Sequence, residues 1–288
     1  MKKLILIDFS WLYNRYFYVA SYDVSVINKK VEIEVTLERM LLQFLTLVNK
    51  YYPEARVILA MDPSTSSLKN RTLFEGYKQN RDKEAKKEVY KYIKDIVKNL
   101  TSKLDSKVFY FIREKLYEAD QLLAYTVKKF HEDHEIIVYS GDKDLLQLAS
   151  YPNTYISDKF EKGKFHIKTD KEIFEKFKNS KGEDFARIST NKRDILKYRS
   201  LKGDSSDNLS SVYPRIKDTD IVKIIKEYWV DNQEEELTEE RIDKILEDME
   251  GFEPALAERL RESKEIWLRN YKIMDLLHVE DMNMRRLK

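Results

Sequence analysis

The chain has 288 residues, 42% hydrophobic and 36% charged, enough apolar material for one large or two smaller soluble domains with a sizeable core. It contains no cysteine, which excludes disulfides, thiolate metal sites and cysteine nucleophiles. The net charge is only +2, yet Leu68 to Arg113 carries 13 Lys/Arg against 6 Asp/Glu, Lys159 to Lys202 carries 14 against 7, and Asp231 to Glu262 reverses to 4 against 13. Two basic blocks in a nearly neutral chain point to a polyanionic partner, although each block alone reads as a solvated helix face.

In chain order, Leu4 to Ile7 is a short apolar run ending at Asp8, which predicts a buried strand and not a signal peptide. No apolar stretch reaches transmembrane length, so no membrane partner is expected. Phe9 to Tyr18 has helical spacing and many aromatics, most of them core candidates. Glu38 to Tyr51 is a second helix, with Met40, Leu41, Phe44, Leu45, Leu47 and Val48 on its apolar face and Pro53 as its stop. Arg56 to Met61 predicts a strand that delivers Asp62. After the polar loop Pro63 to Ser67 come Arg71, Tyr77, Lys78 and Arg81, then a lysine-rich helical run to about Leu104. Its apolar stripe is thin (Val89, Tyr90, Ile93, Ile96, Val97), which predicts a helix projecting from the body.

Lys107 to Ile112 is the next strand, and a helix with Glu118 and Asp120 in its first turn follows, where the helix dipole alone favours acids. Glu135 to Tyr139 is a β-branched strand broken by Gly141. Asp142 and Asp144 follow it, and Leu145 to Leu148 starts a helix. Strands at 4–7, 56–61, 108–112 and 136–139 alternate with helical patterns, which predicts an α/β fold with a mostly parallel central sheet. A weaker strand or hairpin is expected at 154–156 and 164–167, with its turn near Lys162-Gly163. From Asp170 the pattern is helical, interrupted by Leu201 to Asn208 with Asp204 and Asp207, and Glu234 to Glu236 reads as a solvated acidic patch.

Asp8, Asp62, Glu118, Asp120, Asp142, Asp144, Asp204 and Asp207 stand at strand ends and helix starts. On neighbouring parallel strands such residues converge on the carboxyl edge of the sheet, where ligands bind in open α/β folds. A capped helix start explains Asp142 and Asp144 individually, since Asp is favoured there. Several carboxylates without His or Cys suit hard cations such as Mg2+ or Mn2+, and this number implies two ions. Paired ions suit phosphodiester hydrolysis, and the basic blocks make nucleic acid the expected substrate. With only 4 His, none beside a serine nucleophile motif, serine catalysis is unsupported, and no Gly-Lys-Ser/Thr phosphate loop occurs.

Ile-Asp8, Met-Asp62, Arg71 with Tyr77-Lys78-Gln-Asn-Arg81, Tyr-Glu118-Ala-Asp120, Ser-Gly-Asp142-Lys-Asp144 and Leu-Lys-Gly-Asp204-Ser-Ser-Asp207-Asn208 occur in the order found in the 5′ nuclease family. The chain resembles that family of flap endonucleases and 5′→3′ exonucleases over about residues 1–225, and most of all its ribonuclease H branch from T-even phages. The resemblance implies a nuclease domain over 1–185 with a lysine-rich helical arch at about 77–104, and a helical region over 186–288. It places a first metal on Asp8, Asp62, Glu118 and Asp120, and a second near Asp142, Asp144, Asp204 and Asp207. Lys78 and Arg81 would contact the scissile phosphate and Tyr77 would stack on a terminal base. Arg71, Lys86, Lys87, Lys202, Arg215 and Lys217 would touch nucleic-acid phosphates.

The implied activity is a metal-dependent 5′ nuclease that removes RNA primers and short flaps during replication. Its substrate would be branched duplex DNA or RNA/DNA hybrid with a 5′ single strand. The enzyme is expected as a monomer in the cytoplasm, the host's if phage-encoded, with a single-strand-binding protein or sliding clamp as partner. Trp267 and the tail from Met282 are expected as a packed helix and a frayed end, with a docking element for a replication protein as the alternative. Two departures from the family pattern stand out. Gln121 replaces an acid, which would weaken the second metal site, and Leu209 to Asp218 lacks the glycines of the family's potassium-binding hairpin, so no potassium is expected. The rival readings are a catalytically weakened nucleic-acid-binding protein on the same fold, a single-strand ribonuclease and, more distantly, a small-molecule phosphatase.

Overall fold

The computed structural model describes residues 1–25, 31–63, 68–174, 191–230 and 236–282, without the side chains of 23–25, 31, 32, 68, 83, 85 and 86. The contact pattern divides the chain into two compact units. One is built from Met1–Ser67, Asp82–Ile167 and the segment from Glu280. The other comprises Leu68–Arg81 and Lys168–Val279. The boundary expected at 185 lies outside the described residues.

The first unit is built on five parallel strands: β1 (Lys2–Asp8), β2 (Arg56–Ala60), β3 (Phe109–Ile112), β4 (His134–Tyr139) and β5 (Thr154–Ser157), in the order β3-β2-β1-β4-β5. The chain steps outward from β1 to β3 and then returns to the other side of β1. The carboxyl end between β1 and β4 is therefore the switch point at which such sheets bind ligands. Side chains alternate along each strand. Ile5, Ile7, Val57, Leu59, Phe109, Phe111, Ile137 and Tyr139 join the core formed with α1 (Phe9–Ser25), α2 (Val31–Tyr51) and α5 (Ile93–Lys103). Helix α6 (Ala119–Phe130) packs against β1, β2 and β4. Burial on both faces explains why these strands read as continuous apolar runs.

Thr154 to Ser157 pairs in parallel with β4 and completes the sheet. The hairpin is separate, formed by β6 (Phe160–Glu161) and β7 (Lys164–Phe165). It turns at Lys162 (φ 51°) and Gly163 (φ 80°), the two consecutive positive φ values of a tight hairpin turn.

The lysine-rich run forms α4 (Lys83–Tyr90) and α5. The expectation of a wholly projecting helix is corrected at α5. Ile96, Val97 and Leu100 are buried in the core, and Glu38 of α2 accepts from Asn99 (2.7 Å) and from Lys103. A three-residue stripe at helical spacing suffices to dock a helix when the facing helix supplies a carboxylate for its polar edge. The described lysines and glutamates of α4 are exposed, while Val89 and Tyr90 tie its end to α1.

In the second unit, α3 (Leu68–Leu73) runs into turns up to Arg81. It is joined by α7 (Asp170–Phe174), α8 (Asp194–Lys202), α9 (Asp218–Lys223) with a π turn at Ile224–Tyr228, α10 (Glu239–Glu250), α11 (Pro254–Glu262) and α12 (Lys264–Met274). Trp229 and Trp267 are buried edge-to-face at 5.2 Å. Trp267 is therefore core, and the tail beyond Met282 lies outside the described residues. Helix α10 buries Ile242, Ile245, Leu246 and Met249, leaving the acidic block as its solvated face.

Candidate active site

Asp8 is the last residue of β1, 6% exposed, and it caps α1. Its Oδ1 accepts from Trp11 N at 2.9 Å and its Oδ2 from the Ser140 hydroxyl at 2.9 Å. Burial, then the charge of Asp62, then that of Asp142 push the Asp8 carboxyl up to about 7, against the opposing bonds from Trp11 and Ser140. Three acids from three strand ends thus share one electrostatic neighbourhood.

Short hydrogen bonds fix the others. Asp62 N donates to the Ser10 hydroxyl (2.8 Å), and Asp62 Oδ1 accepts from Ala119 N (3.0 Å) at the start of α6. Asp142 N donates to the Ser140 hydroxyl (3.1 Å), and Asp142 Oδ1 accepts from Asp144 N (2.9 Å). Glu118 is the N-cap of α6, with Asp120 in its first turn. Gly141 lies against the Trp11 indole, which a Cβ there would meet at 2.7 Å. Among the described residues no three of the expected acids bring one ligand atom each within 4.8 Å of one another.

In the second unit, Gly203 (φ 75°) ends α8, and a Cβ there would lie 2.5 Å from Ser210 O, so only glycine fits. Asp204 Oδ1 then accepts from Ser206 N (2.8 Å) and the Ser206 hydroxyl (2.7 Å), and Oδ2 from Arg199 (2.6 Å). Burial opposes ionisation of Asp204, but Ser206 and Arg199 together outweigh it and hold the carboxyl below its ordinary value. Arg199, Lys202 and Asn208 line an open cavity of about 540 Å³ above this loop. Asp207 accepts from Tyr77 Oη (3.1 Å) and Arg81 (2.5 Å), with Lys78 Nζ at 3.6 Å.

The chain matches the family of the 5′-3′ exonuclease N-terminal resolvase-like domain over residues 3–178. It belongs to that family. It is 26% identical over 214 residues to a 5′-3′ exonuclease of Mycoplasmopsis pulmonis, covering 73% of this chain and 62% of that protein. It is also 26% identical over 198 residues to the ribonuclease H of Enterobacteria phage T4, covering 67% of this chain and 54% of the phage protein. The chain thus spans just over half the length of these two relatives. The fold is that of the zinc-bound T5 5′-exonuclease, with a TM-score of 0.67 at 17% identity over 96% of this chain and 90% of that one.

The nuclease-family acids Asp8, Asp62, Glu118, Asp120, Asp142 and Asp144 all lie in the first unit, at the carboxyl ends of β1, β2 and β4 or at the start of α6. Asp204 and Asp207 lie in the second unit, as do Arg71, Tyr77, Lys78, Arg81, Lys202, Arg215 and Lys217. The stacking role expected of Tyr77 is corrected. Tyr77 is 3% exposed, Lys78 Nζ sits 4.8 Å from its ring centroid and its hydroxyl is bonded to Asp207, so the ring offers no open face. Lys202 pairs with Asp218 (2.7 Å), Lys87 with Glu84 (2.6 Å), and Arg215 and Lys217 are exposed. Arg71 is half-buried with Nε lacking a hydrogen-bond partner. The Lys86 side chain lies outside the described residues.

Sequence reasoning missed Ser10 and Ser140, which orient Asp62 and Asp8, Arg199, which holds Asp204, and Tyr90, whose phenol is raised by burial and then by the charge of Asp62. Ser10, two residues past the end of β1, and Ser140, directly after β4, are visible in the sequence, but their role appears only once the strands are side by side. Gln121 is buried, and its Oε1 accepts from Glu118 N at 3.0 Å, so it closes the helix start.

Proposed function

We propose that the chain is a divalent-metal-dependent 5′ nuclease acting on branched duplex DNA or RNA/DNA hybrid with a 5′ single strand. The observation that carries this reading is the electrostatic grouping of Asp8, Asp62 and Asp142 at the switch point of the sheet. The donors are all carboxylate oxygens, which fits Mg2+ or Mn2+, and the number of acids fits two ions. A divalent cation held there would supply a water of lowered pKa and charge stabilisation for a phosphodiester's leaving oxygen. Asp8, Asp62, Asp142 and Asp144, with Glu118 and Asp120 beside them, would hold it, with Ser140 bonded to the Asp8 carboxylate and Ser10 to the Asp62 main chain so that little reorganisation is needed. In the second unit, Lys78 and Arg81 supply positive charge suited to a nucleic-acid phosphate. The exposed lysines add affinity that reads no sequence.

The test is cleavage of a labelled 5′-flap DNA with Mg2+ and with EDTA. Asp142→Asn is expected to abolish cleavage and retain DNA binding, and full activity in that variant would remove the assignment.

A further inference from the structure

Asp207 carries a different arrangement of partners from the other acids. Its Oδ1 accepts from Arg81 at 2.5 Å, its Oδ2 accepts from Tyr77 Oη at 3.1 Å, and Lys78 Nζ stands 3.6 Å from Oδ2. The two backbones are joined as well. Lys78 N donates to Asp207 O (2.9 Å), Asn80 Nδ2 to Ser205 O (2.7 Å), and Asn208 Nδ2 to Gly76 O (2.7 Å). The Arg81 Nε also reaches Ser206 O at 3.4 Å. Lys78 adopts φ 54°, a left-handed conformation that a long side chain enters only when its surroundings impose it.

We propose that Asp207 is a positioning residue for Lys78 and Arg81 and not a metal ligand. Resting on the nuclease reading, this assigns the cationic pair a fixed presentation to the substrate phosphate. A carboxylate has about four lone-pair directions. Here the cations Arg81 and Lys78 and the Tyr77 hydroxyl share them, and two fixed positive charges within 4 Å repel a divalent ion from the same oxygens. The Arg81 side chain is 45% exposed and that of Asp207 14%, so the guanidinium reaches solvent from a buried anchor. Oriented cations that need not rearrange when charge develops stabilise it best. At Asp204 the paired cation among the described residues is Arg199.

The experiment compares the full-length chain with Asp207→Asn and Asp142→Asn. Asp207→Asn retains a group that accepts from Tyr77, and a thermal melt establishes that it folds. Arg81→Gln reads the same contact from the other side. Calorimetric titration with Mn2+ is expected to give Asp207→Asn an affinity within about twofold of the parent, and Asp142→Asn an affinity at least about tenfold weaker. Amide exchange at residues 77–81 is expected to speed up by about tenfold in both Asp207→Asn and Arg81→Gln. In single-turnover flap cleavage, Asp207→Asn is expected to lower the rate by about tenfold or more. Adding it to Lys78→Ala/Arg81→Ala should cost less than about twofold further, the coupling of residues acting as one unit.

A Mn2+ affinity that falls as far in Asp207→Asn as in Asp142→Asn would overturn the proposal, as would unchanged exchange or full additivity in the cleavage series. If the parent chain cleaves nothing, the nuclease reading fails, while the exchange and Mn2+ measurements still decide the role of Asp207.

Discussion

Asp8 is an anion at the end of a fully buried strand, and its acidity follows from that position. Its carboxyl, raised from 3.8 to about 7 by burial and by Asp62 and Asp142, keeps a proton in the folded state that the unfolded chain has released. Stability from this group is therefore fully present below pH 3.8 and falls as pH rises towards 7, by about 4 kcal/mol in total without a divalent cation. Urea denaturation in EDTA between pH 4 and pH 8 checks this, and Asp8→Asn should remove most of the slope. Mg2+ should restore more stability to the native chain at pH 8 than at pH 5, because only the ionised carboxylate binds it. Arg215 illustrates what the sequence concealed. The glycine-free segment after Asn208 argued against tight turns, yet Asn208 and Arg215 both take φ 62°. Residues other than glycine thus adopt the left-handed conformation at these two positions. Melting temperatures should rank Arg215→Gly at or above the native chain and Arg215→Val below it by about 1 kcal/mol or more, since a β-branched residue is a marked outlier at positive φ.

At the scale of elements, strand ends were readable because β-branched runs stop at acids. Asp8, Asp62 and Asp142 were placed on one sheet edge by that pattern alone. The parallel β5 was less legible, since Tyr155 is exposed and four residues carry little periodic signal. The docking of α5 was not legible either, because it depends on Glu38 of a distant helix meeting Asn99 and Lys103. Gln121, neutral where the family has an acid, closes the start of α6 on Glu118 N, a role that its position in the sequence did not signal. Gln121→Ala is expected to lower stability by about 1 kcal/mol in urea denaturation, as for the loss of a helix cap, and Gln121→Glu by less because it can keep the bond. An aspartate there is one methylene shorter and would leave Glu118 N without that acceptor. Gly203→Ala should be more damaging, because its Cβ would strike the carbonyls of Leu209 and Ser210 that close the Asp204 loop.

Across the whole chain, the compact units do not follow sequence order. Leu68 to Arg81 lies between two segments of the first unit in sequence but belongs to the second unit, where Arg269 stacks over Phe74 at 4.3 Å and Asn208 holds Gly76 O. No local pattern in residues 68–81 signals this, because their partners lie more than a hundred residues downstream. The consequence is testable with a chain ended after Ile167. Such a fragment keeps all five strands and the acids of the first unit, but removes every partner of Tyr77, Lys78 and Arg81 on the 204–208 loop. Tyr77 and Asn70, at 3% and 2% exposure in the full chain, would be uncovered. Proteolysis follows the population of opened backbone when opening is fast. Trypsin should therefore cut the fragment after Lys78 or Arg81 at least about tenfold faster than the full-length chain, while cuts within α5 change little. Equal rates at Lys78 and Arg81 in the two proteins would mean that the segment holds its conformation without the second unit, and that the loop around Asp207 is not what orders it.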